Sequence, residues 1–271
     1  MTDHIQITFT NLQPEQQELL IAQLSEAGFE GFEQNETELK AFIPEKSYDK
    51  MLLHELAYKY QLSFSEQLIP AQNWNAVWES NFQPLVVDDL VAIRADFHEP
   101  VTGVRHEIVI TPKMSFGTGH HATTFMMMQQ MREIDFRGKT VFDFGTGTGI
   151  LAILAEKLGA LSVFAVDIDE WSVANAAENF ERNNCKKIKL LKAETLPHTD
   201  KFDIILANIN KNVILDNFDS LADRLQPGAI LLLSGLLPED EIEITQKAAT
   251  YKLRKANSRE RSNWICLSFN G

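Results

Sequence analysis

From Lys139 onward the chain alternates between short apolar runs of strand length and longer stretches of helical periodicity, and nothing else in the sequence restricts the fold as strongly. Strands are expected at residues 140–144, 162–166, 187–192, 202–207 and 229–233, helices at 149–158, 170–183, 211–225 and 239–249, and two closing strands at 250–256 and 263–269. Strand–helix–strand units of this kind build a mostly parallel sheet with helices on both faces, an α/β architecture. Ligands of such sheets bind outside the carboxyl ends of the strands, near the point where strand order reverses. Gly145, Asp167 and Asn208 each stand at or just past the end of an expected strand, so they border one crevice.

The first of these strand ends carries Val141-Phe-Asp-Phe-Gly-Thr-Gly-Thr-Gly149 and runs into the helical sequence Ile150–Gly159. Gly145, Gly147 and Gly149 therefore occupy a strand-to-helix turn, where glycine lets a ligand approach the backbone and the helix start supplies free N–H donors. Two nucleotide readings compete. A dinucleotide fingerprint, Gly-x-Gly-x-x-Gly, sets a pyrophosphate on the helix N-terminus, but here a single residue separates the second and third glycines. Asp143, two residues before Gly145, would repel a diphosphate and suits a cationic amino group; its alternative role is a structural acid bonding the loop's own N–H groups. Asp167 can accept hydrogen bonds from both hydroxyls of a ribose. Together these residues favour S-adenosylmethionine, which carries an ammonium, a carboxylate and a ribose but no phosphate.

The front of the chain follows a different pattern. Residues 1–70 read as β-α-β-β-α-β, with strands near 5–10, 29–34, 39–43 and 61–69 and helices at 14–27 and 46–60, the order of a small α+β ferredoxin-like domain. In the second helix Met51, Leu52, Leu56 and Tyr60 are expected to share one face. Pro70 marks a boundary, and residues 71–81 read as a linker helix with Trp74 and Trp78 packed on one side, leaving 82–271 as the catalytic domain. Residues 1–70 hold 12 Asp and Glu against 4 Lys and no Arg, within a chain whose net charge is −13. That balance disfavours nucleic-acid binding by phosphate neutralisation and suits long-range attraction of a basic partner. No apolar run reaches the ~18 residues of a membrane span, no secretory signal is visible, and Cys185 and Cys266 lie far apart with no metal-ligand spacing. A cytoplasmic protein without a metal is the expectation.

One loop is unusual. Thr111-Pro-Lys-Met-Ser-Phe-Gly-Thr-Gly-His-His-Ala-Thr-Thr124 precedes an apolar helix and offers hydroxyls that can either cap that helix or meet a ligand, closing one side of the same crevice. His120 and His121 read as surface or supporting residues. This loop, the glycine stretch, Val166-Asp167-Ile-Asp169, Ala207-Asn208-Ile209 and the Trp-rich linker resemble the PrmA family of bacterial methyltransferases acting on ribosomal protein L-eleven of the large subunit. The glycine stretch and Val166–Asp169 also look like the first two motifs of class I methyltransferases, which implies a Rossmann-like fold with a seven-stranded, mostly parallel sheet. The resemblance implies that Phe116 and Thr123 lie over the cofactor, that Gly145 and Gly147 approach its methionine part, that Asp167 holds the ribose and that Asn208 sits beside the reacting centre. It further implies that the front domain holds the protein substrate. Lys113, where a small residue is expected, and a short segment at 88–100 depart from the pattern.

The implied activity is transfer of methyl groups from S-adenosylmethionine to lysine or N-terminal amines of that ribosomal protein, free or on the large subunit. Asn208 is followed by Ile209-Asn210-Lys211 and not by the Pro-Pro-Tyr found in enzymes that methylate planar amides, so an aliphatic amine fits better. Asn208 could instead cap the helix beginning near Lys211. The rivals are an RNA or small-molecule methyltransferase and a catalytically silent S-adenosylmethionine-binding module.

Overall fold

The computed structural model describes residues 3–35, 37–69, 82–111, 117–194 and 200–271. The chain divides into two compact units, residues 1–82 and 83–271. The expected linker helix with Trp74 and Trp78 lies outside the described residues, as do Lys113 and Phe116.

The front unit runs β1 (His4–Thr10), α1 (Pro14–Glu26), β2 (Gly31–Gln34), β3 (Glu38–Pro44), α2 (Lys50–Lys59) and β4 (Phe64–Ile69). Its sheet has the order β2-β3-β1-β4 with every neighbouring pair antiparallel. Period-two burial puts Ile7, Phe9, Leu39, Ala41 and Ile43 on one face, against Leu20 and Leu24 of α1 and Leu53 and Leu56 of α2. The expected inner stripe of α2 is displaced: Met51 and Leu52 are 77% and 41% exposed, while Leu53, Leu56 and Ala57 are buried. Apolar residues on both sides of Leu53 allow two stripes of helical period, and packing on the sheet selects the one through Leu53. Asp49 caps this helix by accepting the Met51 and Leu52 N–H groups, so α2 starts at Lys50, later than periodicity alone suggests.

The second unit begins with a three-stranded sheet, β5 (Leu85–Val87), β6 (Val91–Ala95) and β7 (His106–Ile110), followed by α3 (Ala122–Met131). The alternating part comprises β8 (Thr140–Phe144), α4 (Ile150–Lys157), β9 (Ser162–Asp167), α5 (Glu170–Arg182), β10 (Ile188–Lys192), β11 (Phe202–Asn208), α6 (Lys211–Asp223), β12 (Leu225–Leu236), α7 (Glu241–Thr250), β13 (Arg254–Arg261) and β14 (Trp264–Asn270). Its seven strands take the order β10-β9-β8-β11-β12-β14-β13, parallel from β10 to β12, with β14 antiparallel to both neighbours. This is the mostly parallel α/β sheet that the alternation requires. The penultimate strand lies at 254–261 and not at 250–256, because the hairpin turns at Ser262 and Asn263, both at positive φ, and the hairpin register runs back from there.

The site rests on a dense core. Phe142 at the sheet centre stacks on Phe202 with ring centroids 5.3 Å apart and meets Phe164 edge-on at 6.4 Å. Six consecutive residues of α4, Ile150 to Ala155, are buried, so the helix that follows the glycine turn is packed on all sides. Among the described residues no helix is long and apolar enough to cross a membrane.

Candidate functional site

β8 lies between β9 and β11, so the chain leaves it toward β9 on one side and later returns to β11 on the other. That is the reversal point at which a crevice opens beyond the strand ends. The turn after β8 is tied to β9: the Gly145 and Thr146 N–H groups both donate to the Val166 carbonyl, at 3.0 and 2.9 Å. The Gly147 N–H donates to Asp167 Oδ2 at 2.8 Å, and the Asp169 N–H to Oδ1 at 3.0 Å, so the carboxylate is oriented by backbone on both sides. Two of the glycines are sterically obligatory. A Cβ on Gly145 would collide with Ile209, and one on Gly149 with the Phe180 ring, and both residues have positive φ.

Asp143 serves the turn itself. It is buried, accepts the Thr146 hydroxyl at 2.6 Å, and receives a hydrogen bond from the Ala152 backbone. Burial pushes its carboxyl up from 3.8 to about 7; the Thr146 and Ala152 donors oppose that rise and the nearby Asp167 charge adds to it. The side chain thus takes the structural role weighed for it, and no direct contact with the cavity is seen.

A cavity of about 660 Å³ opens over the strand ends, and Thr123, Gly145, Gly147, Asp167 and Asn208 all line it. Asn208 closes β11 and is 9% exposed. Its Nδ2 donates to the Thr124 hydroxyl at 3.0 Å, and its Oδ1 is buried without a hydrogen-bond partner. The capping role belongs to Asn210, whose side chain accepts the Val213 N–H at the start of α6 at 3.1 Å, so Asn208 has no such duty.

The start of α3 is also capped by a residue other than expected. His121 is the N-cap: its Nδ1 accepts from the Thr123 N–H at 3.4 Å and lies 2.7 Å from the Thr123 hydroxyl. With Nδ1 accepting, the neutral imidazole carries its proton on Nε2. His121 lines the cavity, and its ring meets Trp264 edge-on with centroids 5.0 Å apart. Thr123 and Thr124 are both buried; the Thr123 hydroxyl lies against the capping His121, and that of Thr124 accepts from Asn208.

Cross-links from elsewhere hold the loop before α3 against the glycine turn. The Thr148 hydroxyl donates to the Gly117 carbonyl at 2.6 Å. Asn179, fully buried on α5, donates to the Thr148 carbonyl at 2.8 Å and accepts the Thr111 N–H at 2.8 Å. One amide therefore ties the glycine turn to Thr111 at the end of β7.

Phe116, expected over the cofactor, lies outside the described residues. Sequence reasoning passed over His121 as a supporting residue and did not single out Trp264, Val213 or Glu194, which line the cavity together with Ile209 of the Ala207-Asn208-Ile209 motif. Trp264 follows a positive-φ Asn at a hairpin turn, a local signal that such a residue sits at a sheet end; the others carry no local mark.

The chain matches the family model for ribosomal protein L11 methyltransferase (PrmA) over residues 5–271. The ribosomal protein L11 methyltransferase of Porphyromonas gingivalis is 43% identical to it over 260 residues, covering 93% of this chain and 90% of the relative. That of Phocaeicola vulgatus is 35% identical over 276 residues, 98% of each. Among solved structures, the ribosomal protein L11 methylase from Lactobacillus delbrueckii subsp. bulgaricus superposes with a TM-score of 0.65 at 32% identity, over 69% of this chain and 98% of that one.

Proposed function

Since the chain belongs to the ribosomal protein L11 methyltransferase (PrmA) family, we propose that Asn208 presents the substrate amine for methylation and that the residues around it hold the cofactor. The reaction is methylation of ribosomal protein L11 by S-adenosylmethionine. The residues present fit that cofactor: backbone bared at Gly145 and Gly147, a carboxylate at the end of β9, and, among the described residues, no lysine or arginine lining the cavity to meet a phosphate. When bound, S-adenosylmethionine supplies a sulfonium methyl carbon open to attack by an amine. Asp167 takes the ribose hydroxyls, Gly145 and Gly147 flank the methionine part, and Phe116 and Thr123 cover the ligand.

The observation that carries this reading is the buried, unpartnered Oδ1 of Asn208. An acceptor left bare in an interior costs about 1–3 kcal/mol, so it calls for a donor from a bound molecule. The N–H of an aliphatic amine is such a donor. Accepting it holds the nitrogen in place with its lone pair free, and alignment of this kind accounts for much of the rate of a displacement. An unperturbed lysine amine has a pKa of ~10.4 and must be neutral to react. The apolar walls at Phe144, Val166, Ile209 and Trp264 favour the neutral form by desolvation.

In this reading the acidic residues 1–70 of the front unit recognise the protein substrate, and lysine side chains or the N-terminal amine are the acceptors. The RNA and small-molecule alternatives are not favoured by the relatives. The test offers labelled S-adenosylmethionine with either free L11 or large subunits to wild type and to Asn208→Ala. The expectation is label on L11 amines, with kcat lowered roughly 100-fold in the variant and cofactor affinity changed only a few-fold. Full activity of Asn208→Ala would exclude the assignment.

A further inference from the structure

Three asparagines stand one helical turn apart along α5 and at its C-terminal cap: Asn175, Asn179 and Asn183. That spacing puts them on one face, and the face lies along β7, the outer strand of the three-stranded sheet beside β6. Asn183 accepts the Val109 N–H at 3.0 Å and donates to the Val109 carbonyl at 2.7 Å. Asn179 accepts the Thr111 N–H at 2.8 Å, and Asn175 donates to the Thr111 carbonyl at 3.2 Å. Side-chain amides thus take the place of a further strand and satisfy backbone groups that an outer strand leaves bare.

Asn179 differs from its neighbours in dividing its amide between two elements. Its Oδ1 goes to β7, while its Nδ2 donates at 2.8 Å to the Thr148 carbonyl in the glycine turn. Both partners are backbone groups with a single role, an N–H that can only donate and a carbonyl that can only accept, so the orientation of this amide is fixed. Asn179 is 0% and Thr148 1% exposed, which leaves no solvent at hand to replace either bond. Thr148 stands before Gly149, the N-cap of α4, so its carbonyl takes no part in the helix ladder. The turn is accordingly held from two sides. Gly145, Thr146 and Gly147 are tied to Val166 and Asp167 at the end of β9, and Thr148 is tied to α5.

We infer that Asn179 is a positioning residue for cofactor binding: from behind the turn its amide holds Thr148, so that Gly145 and Gly147 keep the shape they present to S-adenosylmethionine. Groups that meet a ligand stay in place only when the groups behind them are themselves fixed, and here the fixing group sits 31 residues away on another element. The inference rests on the reading given above in which Gly145 and Gly147 flank the methionine part.

Asn183 supplies the control, because its amide serves Val109 and the Asn179 carbonyl and not the turn. Calorimetry measures S-adenosylmethionine binding to full-length wild type, Asn179→Ala and Asn183→Ala, each well below its melting temperature. Both variants are expected to melt lower than wild type. Asn179→Ala should bind the cofactor about 10-fold or more weakly, with a raised KM for S-adenosylmethionine and a kcat on L11 changed at most about three-fold at saturation. Asn183→Ala should stay within about two-fold of wild type in affinity. Asn179→Asp is the second variant and decides the matter if Asn179→Ala does not fold. It keeps an acceptor for the Thr111 N–H, offers the Thr148 carbonyl no hydrogen while ionised, and supplies one when protonated. Its affinity relative to wild type at the same pH should therefore recover as pH is lowered from about 8 to about 5. A ratio that does not change with pH, or equal losses in Asn179→Ala and Asn183→Ala, would reduce Asn179 to a residue that docks β7 and overturn the inference. Unchanged affinity of Asn179→Ala beside a weakened Asp167→Ala overturns it too and leaves the cofactor reading standing, whereas undiminished affinity of Asp167→Ala removes the premise itself.

Discussion

Replacing Asp143 by Asn isolates the cost of burying a carboxylate beneath the glycine turn. Asn keeps the shape, can accept the Ala152 N–H through its oxygen and can donate to the Thr146 hydroxyl, so the turn loses a charge and little else. At ~1.4 kcal/mol per pH unit, a carboxyl raised from 3.8 to about 7 makes ionisation within the folded protein cost about 4 kcal/mol well above pH 7. Below about pH 4 the acid is neutral whether the chain is folded or unfolded, and this cost is absent. As pH rises from there the unfolded chain releases a proton that the folded one retains, so stability falls until Asp143 itself ionises near 7 and is constant beyond. Wild type is therefore expected to lose roughly 2–3 kcal/mol relative to Asp143→Asn between pH 5 and pH 8. Urea unfolding of both proteins without cofactor, followed by circular dichroism at pH 5, 6, 7 and 8, measures the difference directly. Parallel curves at all four pH values would refute the reasoning, because they would mean that Asp143 is ionised throughout and solvated in some other way. A cationic ligand near the turn favours the ionised form, so saturating S-adenosylmethionine should flatten the wild-type slope and have less effect on the variant.

Three further outcomes follow from the site and the two units. Asp167→Ala removes the carboxylate that accepts the Gly147 N–H and is proposed to hold the ribose; calorimetry should find S-adenosylmethionine affinity reduced at least 100-fold, on the order of 3 kcal/mol, and undiminished affinity would sink the cofactor assignment. Removing residues 1–70 should leave cofactor binding intact while abolishing methylation of L11, and a truncated enzyme that modifies L11 at the normal rate would show that the acidic unit is not the substrate reader. Gly149→Ala forces a Cβ into the Phe180 ring at a φ of +81°, so a loss of about 2–4 kcal/mol should appear as a lowered melting temperature, and an unchanged one would mean that the turn relaxes freely.

What the sequence made legible was what lies close together along it. The glycine turn, its acid and Asp167 sit within 25 residues, each placed by a strand end that periodicity alone reveals. The front unit shows the limit: its element order reads directly, yet the α2 stripe misread Met51 and Leu52 because apolar residues run too densely there for periodicity to choose a face. The N-cap of α3 was unreadable for a chemical reason. Thr123 and Thr124 are the residue types expected to cap, and the structure gives that task to His121, with the Thr123 hydroxyl beside its Nδ1 and the Thr124 hydroxyl paired with Asn208.

The pairing of Asn208 with Thr124 spans 84 residues and depends on facts that no local pattern holds. β11 must lie next to β8, although β9 and β10 intervene in sequence, and α3 must pack on the far half of the sheet, where it meets β12, β14 and β11. Only then does the first turn of α3 arrive beside the end of β11. The same packing explains Trp264. Because β14 runs antiparallel to β12, its first residue lies at the carboxyl end of the parallel strands, and a residue near the C-terminus faces His121 from the start of α3. Had β14 been parallel, its last residue would stand there and Trp264 would point to the opposite end of the sheet. The reversed strand therefore does for the Trp264 side of the cavity what the glycine turn does for the Gly145 side: it decides which residue stands at the mouth.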